Sequence, residues 1–170
     1  VKEFAEQNLE ELFHLKKYDL DLLSGGAPCQ AFSYAGKKLG LEDARGTLFY
    51  YYAIFLNKLQ PKMFLFENVR GLLSHDGGKT YDIMKNIFKE AGYNIVYKVL
   101  NAWDYGVAQK RERLITIGIR QDLSETIFYE YPEPHEYKPV LRDVLVDCPK
   151  SDGIGYSEYK KKVFDLVPPG

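Results

Sequence analysis

Cysteine and tryptophan are scarce in this chain of 170 residues, which has 2 Cys, at Cys29 and Cys148, and 1 Trp. Two cysteines make neither a disulfide framework nor a four-thiolate zinc site, and their scarcity fits a reducing, cytoplasmic compartment. No apolar run approaches the roughly 20 residues that a membrane-spanning helix needs. The N-terminal "VKEFAEQNLEEL" is charged and helical in pattern, unlike a secretory leader. No internal repeat or low-complexity tract is present. Nor does one sign of charge dominate. The formal net charge is -1, so no broad basic surface advertises nucleic acid, although a local basic cluster can bind it within a neutral protein. The chain is 45% hydrophobic and 28% charged, proportions that argue against disorder and for one domain with a core. Aromatic residues are abundant, with 14 Tyr. Core and surface packing accounts for most of them, and a stacking site for one or two.

The apolar pattern alternates helices with strands. Phe4, Leu9, Leu12 and Phe13 predict an amphipathic helix over 2–17. "YDLDLLSGG" reads as a short strand entering a glycine turn, and the polar 37–46 as a loop. Thr47 is placed to cap a helix over 48–59, which Pro61 stops. "KMFLF" (62–66) reads as a strand buried on both faces, with Glu67 and Asn68 at its end. A helix over 81–92 closes at Gly92, and strands follow at 94–100 and 113–119. This is an α/β order. Beyond Phe128, "YEYPEPHEYKP" carries three prolines and no period, as a crossing segment does, and "VLRDVL" reads as a turn or two of helix.

In open α/β sheets, function collects beyond the carboxyl ends of the strands. Cys29 and Glu67 both follow predicted strands there. "GGAPCQ" presents Cys29 in a turn; from the local sequence it is a nucleophile, a redox thiol or a structural one. Glu67 closes an apolar strand. It is a strand-end carboxylate reaching solvent, or a carboxyl with a raised pKa able to hydrogen-bond a ring nitrogen. In "QKRERL" (109–114), Arg111 and Arg113 alternate at a strand entry, which sends both to one face, where two guanidiniums can grip phosphate or carbonyl oxygen. The other reading of this run is a solvated loop. His75 in "SHDGG" reads as a turn histidine and Cys148 as an unreactive thiol. Nothing resembles a metal site.

Four blocks occur in order: "PCQAFS" (28–33), "EDARGTLF" (42–49), "FENVRGLLSHDGG" (66–78) and "NAWDYGVAQKRERL" (101–114). Cys29 and Glu67 lie 38 positions apart, and Glu67 and Gln109 lie 42 apart. With these blocks the chain resembles the DNA (cytosine-5)-methyltransferases, especially those of bacterial restriction–modification systems. The resemblance implies an α/β fold, part of the Rossmann-like methyltransferase fold with a mixed sheet flanked by helices. Residues 1–128 are then part of the catalytic domain, and 129–170 a linker and the start of a target-recognition region. It further implies methyl transfer from S-adenosylmethionine to C5 of a cytosine flipped out of duplex DNA. Cys29 would be the nucleophile at C6, Glu67 would hold N3 and the exocyclic amine, and Arg113 the O2, with Arg111 beside it. Asn68 and Gln109 would support strand ends and loops. Gln30, Ser33 and Lys37 would contact DNA from a closing loop hinged at Gly36, Gly40 and Gly46. Pro28 and Leu48 would line the cofactor pocket. A cognate restriction endonuclease acting on the same site, a nucleoid-associated cytoplasmic location and no membrane contact complete the expectation.

The sequence also departs from the family. The N-terminal glycine-rich cofactor motif, the acidic residues that hold the ribose and adenine, and the final motif are not found. The chain therefore reads as the catalytic middle of a longer enzyme or as a truncated paralogue, and residues 1–170 alone are expected to bind S-adenosylmethionine weakly and to methylate nothing. Tight binding in calorimetry would contradict this. Gly26-Ala27 stands where many members carry an aromatic, and Ala35 where a hydroxyl is common. The competing readings are a transfer-RNA cytosine-5 methyltransferase, a silent DNA-binding homologue and a thiol-redox protein.

Overall fold

A computed structural model describes residues 2–28, 47–147, 153 and 155–167. Four strands form one mixed sheet in the order β1-β2-β4-β3: β1 Leu22–Gly25, β2 Met63–Val69, β3 Tyr93–Asn101 and β4 Glu112–Arg120. β1 and β2 are parallel, and β4 lies antiparallel to both of its neighbours. Two long helices, α3 (Leu48–Leu59) and α4 (Lys79–Glu90), pack on one face of this sheet.

The long helices begin and end where local chemistry dictates. Thr47 Oγ1 accepts the backbone N–H of Tyr50 at 3.2 Å, satisfying a donor in the first turn of α3. Gln60 takes a left-handed conformation at its end (φ 47°) and Pro61 follows. Gly92, at φ 89°, supplies the left-handed residue that ends α4.

The N-terminal segment is not one helix over 2–17. It is α1 (Lys2–Glu6) and α2 (Leu9–Phe13), broken at Asn8, whose side chain caps the N–H of Glu10 at 3.1 Å. Asparagine gains more as a cap than inside a helix. Lys58 Nζ donates to the carbonyls of Ala5 (2.7 Å) and Gln7 (3.1 Å), which the break leaves without helical partners. Only Ala5 and Leu9 of this segment are buried. "VLRDVL" forms a single turn, α5 (Leu141–Val144), and α6 spans Glu158–Phe164.

β2 is not buried on both faces either. Phe64, Phe66 and Asn68 are buried, whereas Met63, Leu65 and Glu67 are half-buried. The reason is the single helical layer: the second face has no helix across it among the described residues. The buried face holds a ring cluster, with Phe64–Phe88 centroids 4.5 Å apart, Phe64–Tyr93 5.2 Å and Phe49–Phe66 5.4 Å. Such tilted and edge contacts add to simple burial. Tyr81 Oη meets Thr116 Oγ1 at 2.8 Å and Tyr93 donates to the Pro61 carbonyl at 2.7 Å. Burial raises both phenols well above the ordinary tyrosine value, so they remain protonated donors or acceptors. On the second face, Tyr131 donates to the carbonyls of Ile115 (2.8 Å) and Val96 (3.1 Å). Burial pushes its phenol up to about 12, so it stays a donor at physiological pH.

The topology sets up one rim. α3 runs back against β1, with the Leu59 carbonyl accepting from Tyr18 N–H at the sheet's opposite end. The carboxyl ends of β1, β2 and β3 and the amino end of β4 therefore meet at the same edge.

A candidate active site at the carboxyl rim

Glu67 and Arg113 stand on neighbouring strands. Glu67 faces Ile115 across the β2–β4 ladder, and Arg113, two residues before Ile115, shares its face. Arg113 Nε donates to Glu67 Oε1 at 2.8 Å, and Arg113 Nη1 to the Glu112 carbonyl at 2.8 Å. The Glu67 side chain keeps 39% of its exposure and that of Arg113 25%. The pair is partly desolvated, yet open to a molecule entering the cleft.

That cleft measures about 210 Å³ and is lined by Ala27, Pro28, Glu67, Asn68, Arg111 and Arg113, among others. Arg111 precedes β4 and reaches the same opening; no ion pair occupies it among the described residues. Asn68 is buried. Its Nδ2 donates to the Ala27 carbonyl at 2.8 Å and its Oδ1 accepts from Val69 N–H at 2.9 Å. It thereby ties the turn leaving β1 to the end of β2. Cys29 follows that turn by sequence, but Cys29, Gln30, Ser33 and Lys37, the hinge glycines and Cys148 lie outside the described residues.

Two of the remaining candidates lie apart from the cleft. Gln109 is exposed on the β3–β4 turn, where its backbone N–H bonds to the Val107 carbonyl at 2.7 Å. Leu48 opens α3 and is 47% exposed. One turn later, Tyr52 lies over Gly25, where a Cβ would come 2.6 Å from its ring, so Leu48 stands beyond the carboxyl end of β1. His75 Nδ1 meets Thr80 Oγ1 at 2.6 Å, fixing the turn before α4. Among the described residues no group of histidine, cysteine or carboxylate side chains has the arrangement of a metal site, and no helix is long and apolar enough to cross a membrane.

Sequence reasoning missed two residues. Gly26 makes room for the ion pair, since a Cβ there would stand 2.9 Å from Glu67 Oε2. The only signal was the adjacent pair of glycines. Asn101 closes the β3–β4 loop: its Oδ1 accepts from Trp103 N–H at 3.2 Å and from Arg111 N–H at 3.0 Å. It opens the block that carries both arginines.

The family described as C-5 cytosine-specific DNA methylase matches residues 2–166. The type II methyltransferase M.Sau96I of Staphylococcus aureus is 52% identical over 170 residues, 99% of this chain and 39% of the relative. M.Eco47II of Escherichia coli is 48% identical over 159 residues, 89% of this chain and 38% of the relative. The chain thus spans about two fifths of the length of these relatives. Among solved structures, a prophage-encoded E. coli protein classed as a DNA modification methyltransferase superposes with a TM-score of 0.62. It has 27% identity over 84% of this chain and 39% of that one. A methyltransferase of Entamoeba histolytica, 19% identical, gives a TM-score of 0.56 over 89% of this chain and 45% of that one, a likeness of fold.

Proposed function

The chain belongs to the C-5 cytosine-specific DNA methylases, and from that premise we propose that the intact protein methylates C5 of cytosine in duplex DNA through a covalent bond to Cys29. The observation that carries the reading is the Glu67–Arg113 pair at 2.8 Å, set in the cleft that the turn toward Cys29 also lines.

Cytosine C5 is a poor nucleophile, and covalent catalysis is the remedy. The Cys29 thiolate forms an S–C6 bond, the C5–C6 double bond opens, and its electron pair moves toward C5 and the N3–O2 edge of the ring. Glu67 holds N3 and the exocyclic amine, and Arg113 holds O2, where charge develops. Held by Glu67, Arg113 cannot swing away from that edge. S-adenosylmethionine, when bound, supplies the electrophilic methyl group. The C5 proton then passes to solvent, its electron pair re-forms the C5–C6 double bond, and Sγ leaves C6 as the thiolate, which restores the ring. Pro28, at the cleft, and Leu48, at the start of α3, are exposed apolar residues beyond the carboxyl end of β1 and would face such a donor. Asn68 and Gln109 support the strand ends and the loop. The base reaches this cleft only when flipped from the duplex, with Gln30, Ser33 and Lys37 on the DNA side. A restriction endonuclease acting on the same site is the partner that fits the type II relatives.

Duplex DNA carrying 5-fluorocytosine tests this, because the C5 substituent cannot leave as a proton. Intact enzyme with S-adenosylmethionine should yield a denaturation-resistant protein–DNA adduct. Its absence, with normal DNA also unmethylated, would refute the reading. Gly26→Ala should lower kcat roughly tenfold to a hundredfold by pushing the Glu67 carboxylate aside, with the thermal midpoint little changed. An unaltered kcat would show that the carboxylate tolerates displacement.

A further inference from the structure

Residues 132–139 are seated on the short helical turn Ala102–Tyr105 by four polar contacts. Trp103 Nε1 donates to the Pro139 carbonyl at 2.8 Å, and Tyr105 Oη to the Pro132 carbonyl at 3.1 Å. His135 N–H donates to the Asp104 carbonyl at 2.8 Å. Lys138 Nζ pairs with the Asp104 carboxylate at 2.6 Å. Gly106 supplies the left-handed residue that ends this turn, at φ 89°, and lies beside His135.

The segment has three prolines between 132 and 139. Proline has no N–H to donate, but its carbonyl still accepts, and two of those carbonyls are the ones gripped. An aperiodic stretch of this kind has no internal hydrogen-bond ladder to place it, so the socket does.

The Trp103 ring also faces two lysines. Lys110 Nζ lies 4.8 Å from its ring centroid and Lys138 Nζ 5.3 Å, within cation–π range. Lys110 comes from the β3–β4 loop and Lys138 from the seated segment. At the loop's base, Asn101 Oδ1 takes the N–H groups of both Trp103 and Arg111, and Ala102 N–H bonds the Arg111 carbonyl at 3.0 Å.

We propose that Trp103 is a positioning residue: it pins residues 132–139 to the β3–β4 loop so that Arg111 and the path of the chain toward its downstream region are fixed as one unit. The proposal deepens the methyl-transfer reading and rests on it for its activity measurements. The indole touches no reacting atom. It acts through Lys110, the neighbour of Arg111, on the arginine side, and through the Pro139 carbonyl and Lys138 on the other, while the Trp103 backbone N–H shares Asn101 with Arg111.

The test uses the intact enzyme with Trp103→Leu, Trp103→Phe and Asp104→Asn. Trp103→Leu should lower kcat about tenfold, with the KM for S-adenosylmethionine and the thermal midpoint unchanged. Trp103→Phe keeps the ring that the ammonium groups face and loses only the N–H donor, so it should recover most of the rate. Asp104→Asn should shift the Trp103 emission, taken as the difference from Trp103→Phe, to longer wavelength as the segment loosens. Wild-type kcat in Trp103→Leu overturns the proposal. So does a rate loss that follows a matching loss of folded protein. If Trp103→Leu does not fold, a wild-type rate together with an unshifted Trp103 emission in Asp104→Asn overturns it. If the wild type methylates no DNA, the methyl-transfer reading fails by itself; the pin is then judged by the emission, and an unshifted Asp104→Asn spectrum overturns it.

Discussion

Cys29→Ser in the intact enzyme is expected to transfer no methyl group above background and to form no adduct with 5-fluorocytosine DNA, while still shifting duplex DNA on a gel. In the proposed mechanism the thiolate is the attacking species, and an ordinary cysteine is already a few per cent thiolate at pH 7. Serine has no comparable anion at that pH. The proposed mechanism brings the thiolate to the Glu67–Arg113 cleft, where charge strengthens the contrast. Arg113 is neutralised by Glu67 at 2.8 Å, but Arg111 opens onto the same cleft with no ion pair among the described residues. An unneutralised guanidinium favours a thiolate nearby. Loss of a nucleophile elsewhere costs on the order of 10⁴-fold or more in kcat. A serine variant that retains more than about one hundredth of the rate would contradict covalent catalysis by this residue. Tritium transfer from labelled S-adenosylmethionine measures it directly.

The largest loss of stability is expected from Gly118→Val. Gly118 lies opposite Phe64 in the β2–β4 ladder, and the Phe64 ring lies on it. A Cβ at position 118 would stand 2.0 Å from Phe64 Cε1 and 2.5 Å from both Cδ1 and Cζ. The ring cannot step aside, since it is fully buried and packs against Phe88 and Tyr93. Overpacking of this kind costs roughly 3 kcal/mol or more, which is a large share of the 5–15 kcal/mol available to a domain. The thermal midpoint should fall by about 10 °C. Gly118→Ala should follow in the same direction. In combination with Phe64→Leu, which shortens the intruding ring, its cost should be well below the sum of the two single costs. Strict additivity would mean that the clash is relieved elsewhere.

Local elements were legible in the sequence because their signals are local. Thr47, the apolar spacing and Pro61 delimit α3 at 48–59, as expected. The strands fall within a few residues of their predicted bounds. The N-terminal helix was misread because Phe4, Leu9, Leu12 and Phe13 have helical spacing but Asn8 competes as a cap. "KMFLF" looked buried on both faces because an apolar run does not say how many helical layers cover it. The carboxyl-rim rule put Glu67 just beyond a strand over 62–66; β2 in fact runs on to Val69, and Glu67 lies within its last three residues. The rule could not place Arg113, which begins a strand and reaches the rim only because β4 runs antiparallel. Pairing direction is a property of the whole sheet, and no window of sequence contains it. The seat for residues 132–139 was invisible for the same reason: its partners are backbone carbonyls of prolines and a turn some 30 residues away.

The strand order carries a consequence for how the protein is made. β3 leaves β2 unpaired on one side, and β4 then inserts between them. As the chain emerges from a ribosome, β1, α3 and β2 can assemble first, since they are consecutive and parallel pairing is complete by residue 69. Glu67 must wait for Arg113, and the inner edge of β2 stays open over that interval. An open edge is a template for pairing with another chain, and contacts between distant residues form slowly. The Glu67 carboxylate and the Arg113 guanidinium therefore meet only when the sheet closes, so a nascent chain that stalls before β4 offers an adhesive strand and no Glu67–Arg113 pair.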